Sequence, residues 1–222
     1  SMVLLKNKAE VLPLKGGENI AIVGPAADSR SEMVGTWAGF ADYSKPVSFY
    51  EGLKARFPHN SISVEKGCNF FDPIDGGIAK AVAAARGADV VFMTLGLPNS
   101  YSGEAASMTN IDIPAAQKAL FKAVKATGKP VVILLVTGRP MTIAEECEDA
   151  DGLLVTWHPG IMAGTALADI VSGDFNPSGR LTMTFPLCLG QVPIHYNAKS
   201  TGRPRRGPED NAKFVSRYMR TP

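Results

Sequence analysis

The chain has 222 residues, 45% of them hydrophobic and 20% charged, and its 23 Lys and Arg against 21 Asp and Glu leave a net charge of +2. That is the composition of a globular protein with apolar material for one large domain or two small ones, and the small charge excess argues against nucleic acid as a partner. The longest purely apolar run, residues 131–136, falls far short of the roughly 20 residues a membrane span needs. Cys68, Cys147 and Cys188 form neither a CxxC pair nor a Cys/His cluster, so buried free thiols are expected rather than zinc or a disulfide framework.

In chain order, residues 2–5 lack the basic start and long apolar stretch of a secretory leader. The chain is therefore expected to be made without one or to be an internal piece. Residues 19–25 read as a buried strand ended by Gly24-Pro25. Asp72-Pro73 predicts a helix opening that leads into Ala-rich residues 78–85 and a stop at Gly87. A second buried strand follows at 89–95, then a loop from Gly96 to Asp112, and Asp112-Ile113-Pro114 predicts the start of a helix over 115–127. Strands are predicted at 130–136, 152–157 and 181–185, with helical stretches at 143–147 and 160–171 between them, the latter ending at Gly173.

Apolar strands alternating with helices predict an α/β fold, an open, mostly parallel sheet with helices on both faces in flavodoxin-like layers. The organisation expected is one α/β sandwich over residues 1–192 with a polar, basic extension over 193–222 that carries Arg203, Arg205, Arg206 and Arg217. Ligand sites in such sheets lie beyond the carboxyl ends of the strands. That directs attention to the loops after Val23, Leu95, Val136 and Trp157.

Gly24 lacks the further glycines of a dinucleotide fingerprint, and no Walker A motif is present, so a plain turn is the better reading. The 96–112 loop is long for a strand-to-helix connection, and such loops tend to be functional or disordered. At its centre is Glu104, which could protonate a leaving oxygen if its surroundings raise its pKa, although spacing alone favours a solvated loop carboxylate. Arg139 could clamp a carboxylate, donate to sugar hydroxyls or position a loop. Trp157 could stack on a sugar face or pack in the core. His158 has no partner nucleophile, since the chain carries no G-x-S-x-G elbow.

Several segments together resemble a known family. They are Val3-Leu4-Leu5-Lys6-Asn7 with Leu12-Pro13-Leu14, then Ile22-Val23-Gly24-Pro25-Ala26-Ala27-Asp28, Ser102-Gly103-Glu104-Ala105-Ala106-Ser107 and Gly138-Arg139-Pro140. Further on come Gly173-Asp174-Phe175-Asn176-Pro177-Ser178-Gly179-Arg180-Leu181, Thr184-Phe185-Pro186, Gln191-Val192-Pro193-Ile194 and Thr201-Gly202-Arg203-Pro204. In order and spacing, from Val3 to Tyr218, they resemble the second domain of family 3 glycoside hydrolases, in the bacterial β-glucosidase branch.

The resemblance implies a retaining β-glycosidase that uses two carboxylates to release terminal β-D-glucosyl residues from a β-glucoside or short β-glucan. It implies Glu104 as acid/base, Ser102, Arg139, Trp157 and His158 as substrate contacts, and no metal or organic cofactor. The nucleophilic Asp would belong to an N-terminal (β/α)8 barrel, absent from this chain, so the isolated chain is expected to be inactive. The face that meets the barrel would be exposed, which favours self-association at high concentration. A periplasmic or secreted location is also implied.

Three departures stand out. Met108 replaces an Arg common in relatives, Ile161-Met162 replaces an acidic or amide residue, and the closing aromatic segment and fibronectin-like domain are missing. An excised domain and a degenerate copy both remain open. Two rival readings are a non-catalytic module, carbohydrate-binding or structural, and a flavodoxin-like nucleotide-binding protein.

Overall fold

Uncharged, mostly branched residues make the middle of the sheet. The computed structural model describes residues 2–197, 199, 202–204, 206, 214 and 215. Strands β2 (Ile20–Val23), β4 (Val90–Gly96), β5 (Val131–Val136) and β6 (Gly152–Val155) are buried along their whole length. Two less buried strands close the edges, β1 (Val3–Asn7) and the half-buried β3 (Ile62–Glu65). The order is β1-β6-β5-β4-β2-β3, parallel throughout except that β1 runs antiparallel to β6, with Val3 opposite Val155 and Asn7 opposite Gly152.

Because side chains alternate across a strand, each buried strand feeds two cores. Val131, Ile133 and Leu135 enter one, together with Ala81 and Ala85 of α2 (Gly77–Arg86), Leu120 and Val124 of α3 (Ala115–Lys125), and Cys147 of the short α4 (Ala144–Asp149). Val132, Leu134 and Val136 enter the other, with Phe49 and Leu53 of α1 (Phe49–Arg56) and Leu167 and Val171 of α5 (Ala163–Ser172). The sheet is open and covered on both faces, as the sequence predicts.

The two helices α1 and α5 meet through glycines. A Cβ on Gly52 would overlap the backbone of Gly164, and one on Gly164 would overlap the carbonyl of Ser48. Ser48 caps α1 in a capping box, its hydroxyl accepting from Glu51 N while the Glu51 carboxylate accepts from Ser48 N.

The sequence reading misplaces some details. Asp72 caps no helix: its carbonyl accepts from Asn69 N at 2.9 Å, Pro73 bridges to Cys68, and α2 starts after the left-handed Gly76. Asp112 likewise is bonded by the Thr142 hydroxyl, and α3 starts after Pro114 with no side-chain cap. Residues 181–185 form no strand, because β1 already occupies the edge beside β6; Leu181 and Phe185 pack on the core instead. Elements β1, α1 and β3 are additions. Much of the 193–222 extension, including Arg205, Arg217 and Tyr218, lies outside the described residues, as does Thr201.

Strand order reverses between β2 and β4, where a doubly wound sheet usually opens a crevice. Here it is closed by direct contact. Gly24, at φ 115°, would overlap Thr94 if it had a Cβ, and Ala26 N donates to Thr94 Oγ1 at 3.1 Å. The N–H that a phosphate would need is already committed, which weakens the nucleotide-binding rival.

Candidate functional site

The long loop after β4 makes a short 3-10 turn, with Tyr101 N donating to Pro98 O and Ser102 N to Asn99 O, and is otherwise held by side chains from several elements. At its start, the fully buried Gln117 of α3 accepts from Gly96 N at 2.8 Å and donates to Gly96 O at 2.9 Å and Phe70 O at 2.7 Å. Asn99 N donates to Glu32 Oε2 at 2.6 Å, and Asn99 Nδ2 donates to Ser31 O and Val34 O. The Thr36 hydroxyl is shared between the carbonyls of Asn99 and Ser102, at 2.7 and 2.6 Å.

Glu104 follows two residues later, exposed at the rim, between Gly103 at φ 94° and Ala105 at φ 57°. A non-glycine residue in the left-handed region costs about 1–3 kcal/mol and is held only by its surroundings. No backbone–backbone hydrogen bond is made by the N–H groups of residues 103–106. What brackets the turn is Arg139, whose Nη2 donates to Tyr101 O and to Ala106 O, the latter at 2.5 Å. Arg139 is set in turn by Thr137, whose hydroxyl donates to Arg139 O at 2.8 Å and accepts from Arg139 N at 3.2 Å.

Ser102, Arg139 and His158 converge on Gly138. A Cβ there would overlap the Ser102 side chain and lie 3.7 Å from His158 Cδ2. Ser102 Oγ, Arg139 Nε and His158 Nε2 are all buried without a hydrogen-bond partner in the protein, three of the four such side-chain atoms among the described residues. His158 Nδ1 is 2.8 Å from the carbonyl of Glu32, so Nδ1 carries the proton and, in the neutral ring, Nε2 is an acceptor. Buried polar atoms are normally satisfied, and a concentration of exceptions marks a place built for something other than stability.

Trp157 is at this rim too, in the left-handed region at φ 57°. Its half-buried ring packs on the core and on Phe185, centroids 6.0 Å apart, so packing accounts for it.

The sequence reading missed Trp37. It is 74% exposed, and its indole nitrogen would lie 3.3 Å from a Cβ on Gly103, so the ring is beside the Glu104 turn. A tryptophan between Gly35 and Gly39 was the available signal. Other rim aromatics are Phe71 and Tyr101, each 40% exposed, with ring centroids 4.7 Å apart.

Among the described residues no three His, Cys, Asp or Glu side chains cluster as a metal site, and no helix is long and apolar enough to cross a membrane. Burial pushes the Cys68 thiol up to about 11, against a smaller opposing pull from Lys66, so it is inert rather than nucleophilic.

Comparison with known proteins fits this geometry. Residues 2–218 match the model of the glycosyl hydrolase family 3 C-terminal domain. The chain is 42% identical over 240 residues to a periplasmic β-glucosidase of Salmonella typhimurium, covering 99% of this chain and 31% of the relative. It is 36% identical to a β-xylosidase of Formosa agariphila, over 88% of this chain and 28% of the relative. A β-glucosidase from Listeria innocua, solved in complex with isofagomine, superposes with a TM-score of 0.93 at 39% identity, over all of this chain and 30% of that one. The chain therefore spans less than a third of the length of these relatives.

Proposed function

Because this chain belongs to glycosyl hydrolase family 3, as its C-terminal domain, we propose that it presents the acid/base carboxylate of a retaining β-glycosidase. Glu104 is that residue. The observation that carries the reading is its placement: an exposed carboxylate at the carboxyl end of the sheet, on a turn bracketed by Arg139. The nucleophilic Asp comes from a (β/α)8 barrel facing this rim. It attacks the anomeric carbon while Glu104 protonates the leaving oxygen. Glu104 then takes a proton from the water that releases the sugar.

Trp37, exposed beside the turn, supplies an apolar face for the leaving sugar, and Ser102 and His158 contribute polar atoms to the wall behind it. The substrate class is a β-glucoside or short β-glucan, with a β-xyloside as the neighbouring specificity. The location is periplasmic or secreted, in line with the Salmonella relative's name. Alone, the chain is inactive, since it carries one carboxylate of the pair.

The test is Glu104→Gln in a protein that joins this domain to its barrel. Turnover of a glucoside with a poor leaving group is expected to fall by about 10²–10⁴. An activated aryl glucoside, which needs no protonation, should lose far less in its first step. A small, uniform loss on both substrates would instead make the domain a non-catalytic brace.

A further inference from the structure

Arg139 is a rim cation that the reaction outlined above does not use. Its Nη2 has two hydrogens, and they go to two backbone carbonyls, Tyr101 O and Ala106 O. Those carbonyls flank residues 102–105, so one nitrogen closes the ends of the Glu104 turn much as a backbone hydrogen bond closes a tight turn. No backbone hydrogen bond of good geometry closes the turn from within. The N–H groups of residues 103–106 make no backbone–backbone hydrogen bond, and Ala105 is held at φ 57°. Thr36 grips only the near side, through Asn99 O and Ser102 O.

We propose that Arg139 is a positioning residue that fixes the carboxylate of Glu104 by clamping both ends of its turn, rather than a residue that binds the sugar. The proposal rests on Glu104 being the acid/base. Its chemistry is that of a charged donor on neutral carbonyls, stronger than a neutral pair and set in a fixed planar geometry. Because a displacement of about 1 Å at a reacting group can cost on the order of 10²-fold in rate, loss of the clamp acts on turnover and not on affinity.

Two measurements test it. In this chain, Arg139→Met is expected to lower the backbone NMR order parameters of residues 103–106 to below about 0.6, with those of β4 and β5 unchanged. Equal order parameters at residues 103–106 in the two proteins would overturn the clamp. In the protein that includes the barrel, Arg139→Met is expected to lower kcat for a poor leaving group by about 10²-fold with KM nearly constant, and Arg139→Lys to recover part of it.

The double variant Glu104→Gln/Arg139→Met is expected to be no slower than Glu104→Gln alone, because the clamp acts only through Glu104. A KM rise shared by both substrate classes, with additive losses in the double variant, would make Arg139 a substrate contact and overturn the proposal. If Glu104→Gln shows no leaving-group dependence, the acid/base assignment fails, while the order parameters still report on the clamp by themselves.

Discussion

At Gly164, in α5, a Cβ would overlap the carbonyl of Ser48; at Gly138, after β5, one would overlap the side chain of Ser102. Each glycine thus lies against a serine, and the two serines differ in their hydrogen bonding. Ser48 is fully buried; its hydroxyl donates to Asp28 Oδ1 at 2.6 Å and accepts from Glu51 N at 3.1 Å, and Glu51 is paired with Arg30. Around Gly138, Ser102 Oγ, Arg139 Nε and His158 Nε2 have no partner in the protein. The α1–α5 seam is arranged for stability. The Gly138 surroundings keep hydrogen-bonding capacity in reserve, as functional sites do.

Substitution at the two glycines should separate the settings most sharply. Gly164→Ala forces a methyl against fixed backbone and is expected to cost about 3 kcal/mol, at the upper end for overpacking, read from urea unfolding. Gly138→Ala meets the Ser102 hydroxyl, which can rotate away, and the Ser102 Cβ at 2.5 Å, which cannot, and a smaller loss of about 1–2 kcal/mol is expected. Equal losses would erase the distinction.

The serines come next. Ser48→Ala removes a buried cap and should lower stability by about 1–2 kcal/mol. Acid should then expose the seam's charge. The hydrogen bond from Arg30, followed by the N–H of Ser48, holds the Glu51 carboxyl below its usual range against opposing burial. A carboxylate lowered on folding stabilises above its unfolded pKa, about 4.3, and loses that contribution as pH falls through the folded value. Between about pH 5 and about pH 3 the melting temperature of the wild type should therefore fall more steeply than that of Glu51→Gln. The smallest effect is expected from Ser102→Ala. Removing an unsatisfied buried hydroxyl should leave stability unchanged or raise it by up to about 1 kcal/mol. A loss as large as that of Ser48→Ala would mean Ser102 is structural after all.

The parts of this fold that sequence makes legible are those where one residue property decides the outcome. Strands β2, β4, β5 and β6 are uncharged because helices cover both sides of them, and that shows in any window of the sequence. β1 and β3 sit at edges, β1 with mixed burial and β3 half-buried throughout, and each carries a charge, Lys6 and Glu65. Helix α1 is signalled only by Ser48 and Glu51 three residues apart. Asp72 and Asp112 show the limit of local rules, since a short acceptor before a proline serves a turn or a distant threonine as readily as a helix end.

The site behaves in the same way. The proposal of Glu104 as acid/base comes from family resemblance and not from spacing. Arg139 was legible as a rim cation, whereas its grip on two carbonyls more than thirty residues away depends on the sheet bringing β4 and β5 side by side.

The antiparallel direction of β1 carries a practical consequence. Val3 lies opposite Val155, at the carboxyl end of β6, and the strand runs from there to Asn7 opposite Gly152. Had β1 been parallel like its neighbours, the chain would enter at the far end of the sheet. As it is, anything fused ahead of Val3 is tethered at the rim that carries Glu104. A linker of only a few residues would then hold it there at a high effective concentration. An N-terminal fusion partner or affinity tag therefore competes for that rim, whereas a label meant to leave it undisturbed belongs at the turn after Asn7.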